Sequence, residues 1–332
     1  MKILVTPTSF VPNSDTPAMN RLRSFAGSLV FNPTGKPLGE DELIPLLKDC
    51  DGCIAGVDCF TAQVMENAPR LKVISRYGTG VDRVDLAAAR ARNIVVCNTP
   101  GANSQAVADL TFGLLLSLAR RIPVLDGQTR KGQWPRSNGI ELHGKTLGIL
   151  GLGAVGKAVA RRAGGFSMKV IACDPLIDRE YAEANGIAEV GFDALIRESD
   201  FLSLHLPLTT ETKHILSAQA MRAMKKGALI VNTSRGGIID EAAAFELLVG
   251  GHLGGLGLDV YETEPPGESP FFGMENVVVT PHTAAHTAEA KQAMADMSVQ
   301  NLIDVLSGNP CPHTVPRQAY QRGAACASII EQ

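Results

Sequence analysis

Thr146-Leu147-Gly148-Ile149-Leu150-Gly151-Leu152-Gly153-Ala154-Val155-Gly156 decides how this chain reads. An apolar run stops at a glycine turn, and a pattern that puts Val155, Ala158 and Val159 on one helical face begins at once. Gly151, Gly153 and Gly156 form Gly-x-Gly-x-x-Gly. Between a strand and a helix, the first glycine permits the tight turn and the second lets a pyrophosphate approach the backbone. The third lets helix and strand pack closely. The anion then sits at a positive helix N-terminus. Three glycines at this spacing are weak on their own, and the flanks add the specificity. A second apolar run, 168–173, ends in Asp174. A carboxylate there accepts both adenosine ribose hydroxyls and repels a 2′-phosphate, which points to NAD as cofactor rather than NADP.

Outward from this turn the chain alternates apolar runs with helical patterns, as a parallel sheet covered on both faces requires. Six strands are expected after residue 145, at 146–150, 168–173, 201–205, 228–232, 255–260 and 277–280. Before it five are expected, at 2–6, 29–31, 52–56, 72–75 and 94–96, with helices near 17–26, 40–47, 61–68 and 84–91. Asn98-Thr99-Pro100-Gly101 breaks the alternation and reads as a crossing between domains. A helix over 104–120, apolar all round its middle, should be buried between layers or subunits. The polar segment 127–139 holds the single tryptophan, Trp134, read either as packed on its own domain or as an oligomer contact. A helix over 287–306 is long enough to return to the first domain, and the tail from Gly308 has no core pattern and is expected to be mobile or draped. The expected fold is α/β with two domains. A Rossmann NAD-binding domain, 100–285, is inserted in a flavodoxin-like substrate domain made of 1–99 and 286–332. The cleft between them is the expected active site.

The length of 332 residues suits two cores. A net charge of −3 with no basic block argues against nucleic acid or an anionic membrane surface as partner. The longest apolar stretch, 110–119, is about half a membrane span, and no secretory pattern follows Met1-Lys2, so a cytoplasmic location is expected. The seven cysteines are odd in number and scattered. Cys50, Cys53 and Cys59 lack a fourth ligand, so no metal is expected and small core residues are the better reading.

In an open α/β sheet the ligands bind beyond the carboxyl ends of the strands. Three groups stand there: Thr233-Ser-Arg235-Gly-Gly237, then Asp259 with Glu262-Thr-Glu264, then Pro281-His282. Hydride transfer to a 2-oxo acid needs a cationic fork for the carboxylate, which Arg235 offers. It needs a proton donor for the carbonyl oxygen, which His282 offers, and an anion to orient that imidazole, which Glu264 offers. The two glycines after Arg235 would let that loop lie close to a ligand. His205 and His286 are rival donors. The first is expected to pack on cofactor and the second to lie one helical turn from His282.

At these residues the sequence resembles the D-isomer-specific 2-hydroxyacid dehydrogenase family, and within it the D-3-phosphoglycerate dehydrogenase branch. The resemblance spans about 40–310 and rests on Gly78-Thr-Gly-Val-Asp-Arg-Val-Asp85, Asn98-Thr-Pro-Gly-Ala-Asn-Ser104, Gly144-Lys-Thr-Leu-Gly-Ile-Leu-Gly-Leu-Gly153, Asn232-Thr-Ser-Arg-Gly-Gly237, Leu258-Asp-Val-Tyr-Glu-Thr-Glu-Pro265 and Thr280-Pro-His282. It implies that Arg235 binds substrate carboxylate and carbonyl, that His282 paired with Glu264 moves the proton, and that Thr79 and Gly80 present backbone amides to the substrate. It places Ala154 and Val155 at the pyrophosphate, Asp174 at the ribose, and Leu206, Thr233 and Asp259 around the adenine and nicotinamide ends. It also implies a homodimer formed through the cofactor domains. Where phosphoglycerate enzymes carry a phosphate-binding Arg, this chain has Ile54-Ala-Gly-Val-Asp58, although Arg76 matches a second family Arg. Glycerate, hydroxypyruvate and glyoxylate therefore fit as well as a phosphorylated acid. No regulatory C-terminal domain follows, so serine feedback is not expected. The alternative is an NAD(H)-sensing, corepressor-like binding protein on the same scaffold.

Overall fold

The computed structural model describes residues 1–315, which divide into two compact units. One comprises Met1–Asn103 and the chain from His286; the other comprises Ser104–Ala285. The second unit is thus inserted in the sequence of the first.

The first unit holds β1 (Lys2–Val5), β2 (Ser28–Phe31), β3 (Gly52–Ala55), β4 (Val73–Arg76) and β5 (Val95–Cys97), all parallel, in the order β2-β1-β3-β4-β5. This is the flavodoxin-like order. β3 and β4 are buried along their whole length, as a sheet covered on both faces demands. Thr16, Thr61 and Asp85 start their helices by accepting from the backbone N–H three residues on. The helix Ala288–Leu306 packs on the helix Pro17–Phe25 and on β3 and β4, and Ser75 Oγ donates to Ser298 O at 2.7 Å. Residues 313–315 run antiparallel along β5, with Val315 N donating to Val96 O and Asn98 N to His313 O. The described start of the tail is therefore draped over a sheet edge; residues 316–332 lie outside the described residues.

The second unit holds β6 (Thr146–Leu150), β7 (Lys169–Cys173), β8 (Ala188–Glu189), β9 (Phe201–Leu204), β10 (Leu229–Asn232), β11 (Gly255–Leu258) and β12 (Val277–Val279). They form a parallel sheet in the order β12-β11-β10-β9-β6-β7-β8. Read from β8, this is the doubly wound Rossmann order with a seventh strand added, and its direction reverses between β6 and β9. The sequence reading counts six strands and misses β8. That strand has two exposed residues at the sheet edge and no apolar run to reveal it. The helix Ser104–Ala119 is buried between layers, against the helix Ala154–Gly165, β10 and β11. A second unforeseen element, the helix Ile122–Arg130, follows a left-handed Arg121 (φ 52°) and buries no residue, so it lacks the apolar stripe that marks a helix in sequence. Trp134 is 82% exposed, which removes the reading that packs it on its own domain. Among the described residues no helix is long and apolar enough to cross a membrane, and no group of three His, Cys, Asp or Glu could hold a metal ion.

Candidate active site

At the glycine turn each glycine has a separate cause. Gly151 follows β6 with φ 97°, and a Cβ there would stand 2.6 Å from His205 O, so a side chain is excluded by both conformation and space. Gly156 lies in the helix Ala154–Gly165, where a Cβ would stand 2.2 Å from Gly151 O; this is the close helix-on-strand contact. At Gly153, the residue that opens that helix, a Cβ would meet nothing within 4 Å, and no side chain caps the helix start. The orphan amides of Ala154, Val155 and Gly156 thus face an approach free of side chains, which fits a pyrophosphate. Leu206 is buried beneath, its Cδ2 3.2 Å from the position of a Gly151 Cβ. Asp174, half-buried after β7, accepts from Leu152 N and Leu176 N, each at 2.8 Å. One carboxylate therefore fixes the turn, and each oxygen keeps a second lone pair for a ribose hydroxyl.

β10, β11 and β12 are neighbours, and register pairs Asn232 with Leu258 and Leu258 with Val279. The loops that leave them start level with one another. Asn232 shapes the first: its Oδ1 accepts from Ser234 N and Ser234 Oγ, and its Nδ2 donates to Arg235 O at 2.7 Å. Arg235 itself donates from a guanidinium nitrogen to Ser234 O at 2.7 Å. At Gly236 a Cβ would stand 1.7 Å from Tyr261 O. The loop bearing Arg235 is thus pressed backbone to backbone on the loop that leads to Glu264. Gly236, one of the two glycines after Arg235, serves this contact. Gly237 takes φ 78°.

His282 Nδ1 and Glu264 Oε2 lie 2.8 Å apart. An ionised carboxylate only accepts, so Nδ1 carries the proton and Nε2 is left as the atom that gives or takes one. Glu264 is held in turn by Tyr261 N, which donates to its Oε1 at 3.2 Å, and the Tyr261 hydroxyl donates to Thr280 O at 2.8 Å. The sequence reading passed over Tyr261; its position between β11 and Glu264 was the available signal. Burial pushes the Tyr261 phenol up to about 12, so it stays a donor. Asp259, fully buried, accepts from Thr283 N, Ala284 N and Thr280 Oγ1. Its described bonds hold the 280–284 loop, on which His282 takes a left-handed φ of 49°. Thr233 is buried, with its hydroxyl 2.9 Å from that of Thr111.

Of the two rival histidines, His205 is set against the donor role and the expected placement of His286 is corrected. His205 Nε2 lies 2.8 Å from Ser203 Oγ, and burial pushes its pKa down to about 3, so at neutral pH it has no proton to lend as an acid. Residues 281–287 contain no helical turn, so His286 is not one turn from His282; that expectation is corrected.

In the first unit, the turn after β4 carries Thr79 and Gly80. Thr99 N donates to Gly78 O, Asn98 Nδ2 to Thr79 O at 2.8 Å, and Arg76 Nε to Gly80 O at 3.1 Å. In a trans peptide the C=O and the following N–H point oppositely, so anchoring these carbonyls turns the amides of Thr79 and Gly80 outward. Arg76 is buried and also donates to Ala55 O at 3.1 Å. A hollow of about 490 Å³ in the second unit, beside Leu116, His143 and Phe166, lies where the chain enters β6 and β7, at the amino ends of the strands and away from these loops.

Residues 112–284, a span that includes the glycine turn, Arg235, Glu264 and His282, match the family model described as D-isomer specific 2-hydroxyacid dehydrogenase, NAD binding domain. The chain is 42% identical over 282 residues to a D-3-phosphoglycerate dehydrogenase of Methanocaldococcus jannaschii, covering 84% of this chain and 54% of that one. It thus spans about half the length of that relative. It is 39% identical to a glyoxylate reductase of Korarchaeum cryptofilum, covering 86% of this chain and 88% of that one. The solved D-lactate dehydrogenase of Aquifex aeolicus, complexed with NAD and lactic acid, matches with a TM-score of 0.80 and 28% identity, over 92% of this chain and 96% of that one. With the sheet order, the glycine turn and the three strand-end loops, these likenesses show that the chain belongs to the D-isomer specific 2-hydroxyacid dehydrogenase family.

Proposed function

We propose that the protein interconverts a small D-2-hydroxy acid and its 2-oxo acid, with His282 as proton donor and acceptor. The observation that carries this reading is the 2.8 Å pair of His282 Nδ1 and Glu264 Oε2 at the strand ends of a dinucleotide-binding sheet. Bound NAD(H) supplies or accepts the hydride at C2. Arg235 holds the carboxylate and polarises the carbonyl. His282 Nε2 gives its proton to the carbonyl oxygen as negative charge develops there, while Glu264 keeps the imidazole in register and balances its charge. The amides of Thr79 and Gly80 add donors for the substrate carboxylate. Asp174 receives the ribose, Ala154 and Val155 the pyrophosphate, and Leu206, Thr233 and Asp259 line or support the rest of the dinucleotide site. The first unit serves as the substrate domain and the second as the cofactor domain.

An unphosphorylated acid of the glycerate, hydroxypyruvate or glyoxylate type suits the site best. Arg76 is already committed to Ala55 O and Gly80 O, and the turn after β3 offers buried Asp58 where a phosphate would need a cation. Exposed Trp134, Ile122 and Ile140 in the cofactor unit support a homodimer, and the chemistry suits the cytoplasm. The test is a panel of phosphorylated and unphosphorylated 2-oxo acids with NADH. Rapid NADH oxidation by small unphosphorylated acids is expected, and Arg235→Ala should lose most of kcat/KM. Tight NADH binding with no oxidation by any acid would overturn the reading in favour of a sensor.

A further inference from the structure

We propose that Cys97 and Cys311 form a peroxide-responsive dithiol that becomes a disulfide and acts on the 78–80 turn. Their sulfurs lie 3.5 Å apart although 214 positions separate them in the chain. Cys97 ends β5 and is fully buried; Cys311 is partly exposed. The backbone holds them together, because residues 313–315 are hydrogen-bonded along β5 and Cys97 pairs with Thr314. A bond near 2.05 Å therefore needs only a short sulfur movement, not a rearrangement of strands.

Exposure assigns the roles. The Cys311 sulfur attacks one peroxide oxygen and the O–O bond breaks. The thiol proton leaves with the displaced hydroxide as water, and Cys311 becomes a sulfenic acid. Burial pushes the Cys97 thiol up, which suits a resolving partner over a first attacker. Its sulfur then attacks that of Cys311, the S–O bond breaks, and the Cys97 proton departs with the hydroxide as a second water. Two thiols have lost two electrons and two protons, and one peroxide has become two waters.

The pair is wired to the turn that carries Thr79 and Gly80. Cys311 Sγ faces Asn301 Oδ1 at 3.5 Å, beside His313 Nδ1 on the same oxygen at 2.9 Å. Asn301 Nδ2 donates to Asn98 O, and Asn98 Nδ2 to Thr79 O, each at 2.8 Å. Oxidation removes the sulfur's hydrogen from Asn301 and shifts the segment that holds it, so the last link of the chain, at Thr79, loosens.

The test has two arms. The full chain is exposed to hydrogen peroxide, free thiols are alkylated, and peptides are mapped by mass. A Cys97–Cys311 cross-link is expected, reversed by dithiothreitol and lost in Cys311→Ser and in Cys97→Ser. Stable oxidation of Cys311 alone, or its cross-linking to another cysteine, would overturn the pair. The kinetic arm rests on the proposed function. Peroxide should raise KM for hydroxypyruvate severalfold in the unsubstituted protein but not in Cys311→Ser, with NADH affinity unmoved. A cross-link that leaves KM unchanged would overturn the coupling to the turn while leaving the dehydrogenase reading intact.

Discussion

The glycine turn and the strand-end loops share one sheet, yet their parts are gathered differently. At the turn, Gly151, Gly153, Gly156 and Asp174 fall within one strand–helix–strand unit, and Asp174 bonds the backbone of the turn directly. At the ends of β10, β11 and β12 the parts come from positions 235, 264 and 282. They are joined by contacts no short motif encodes: Gly236 against Tyr261 O, Tyr261 N on Glu264, the Tyr261 hydroxyl on Thr280 O, and buried Asp259 under the His282 loop. Cofactor binding should therefore fail through local changes, and proton transfer through changes in packing between loops.

Substitution can separate the two regions. His282→Gln removes the proposed proton carrier and leaves the turn intact. It should lower kcat by roughly 10²- to 10⁴-fold with NADH affinity little changed; steady-state rates beside an NADH titration check this. Gly236→Ala forces a Cβ into backbone that cannot yield, and it should cut kcat/KM by roughly 10²-fold with NADH still bound. Gly156→Ala creates the equivalent clash at the turn and should lose NADH binding itself; equal behaviour of the two alanine variants would erase the contrast between the two regions. Asp174→Ala should weaken NADH binding by roughly 10-fold and reduce discrimination against NADPH, while kcat at saturating NADH stays near its starting value.

The same contrast explains what the sequence revealed. β6, the turn and Asp174 were legible because a period change and three glycines write them locally. Arg235, Glu264 and His282 stand out by chemistry, since each follows a strand of the sheet, two of these strands fully buried and β12 only partly. Tyr261, Asn232 and the work of Gly236 do not, because their significance lies in contacts between loops far apart in sequence. β8 and the helix Ile122–Arg130 escaped because they bury nothing and carry no apolar period.

The smallest expected effect concerns pH. His205 has its folded pKa depressed to about 3, so below the ordinary histidine range the unfolded chain binds a proton that the folded chain refuses. Its contribution is fully present above that range and is lost as pH falls through it, at roughly 1 kcal/mol per pH unit. Urea unfolding from pH 7 to 5 should show this slope, and His205→Asn should flatten it.

The central claim is most directly tested by a crystal structure with NADH and oxamate, an unreactive analogue of a 2-oxo acid. The account predicts His282 Nε2 within hydrogen-bonding distance of the analogue's C2 oxygen, Glu264 still on Nδ1, and the Arg235 guanidinium on the carboxylate. An analogue bound with its C2 oxygen out of reach of Nε2, or with another residue in that place, would contradict it.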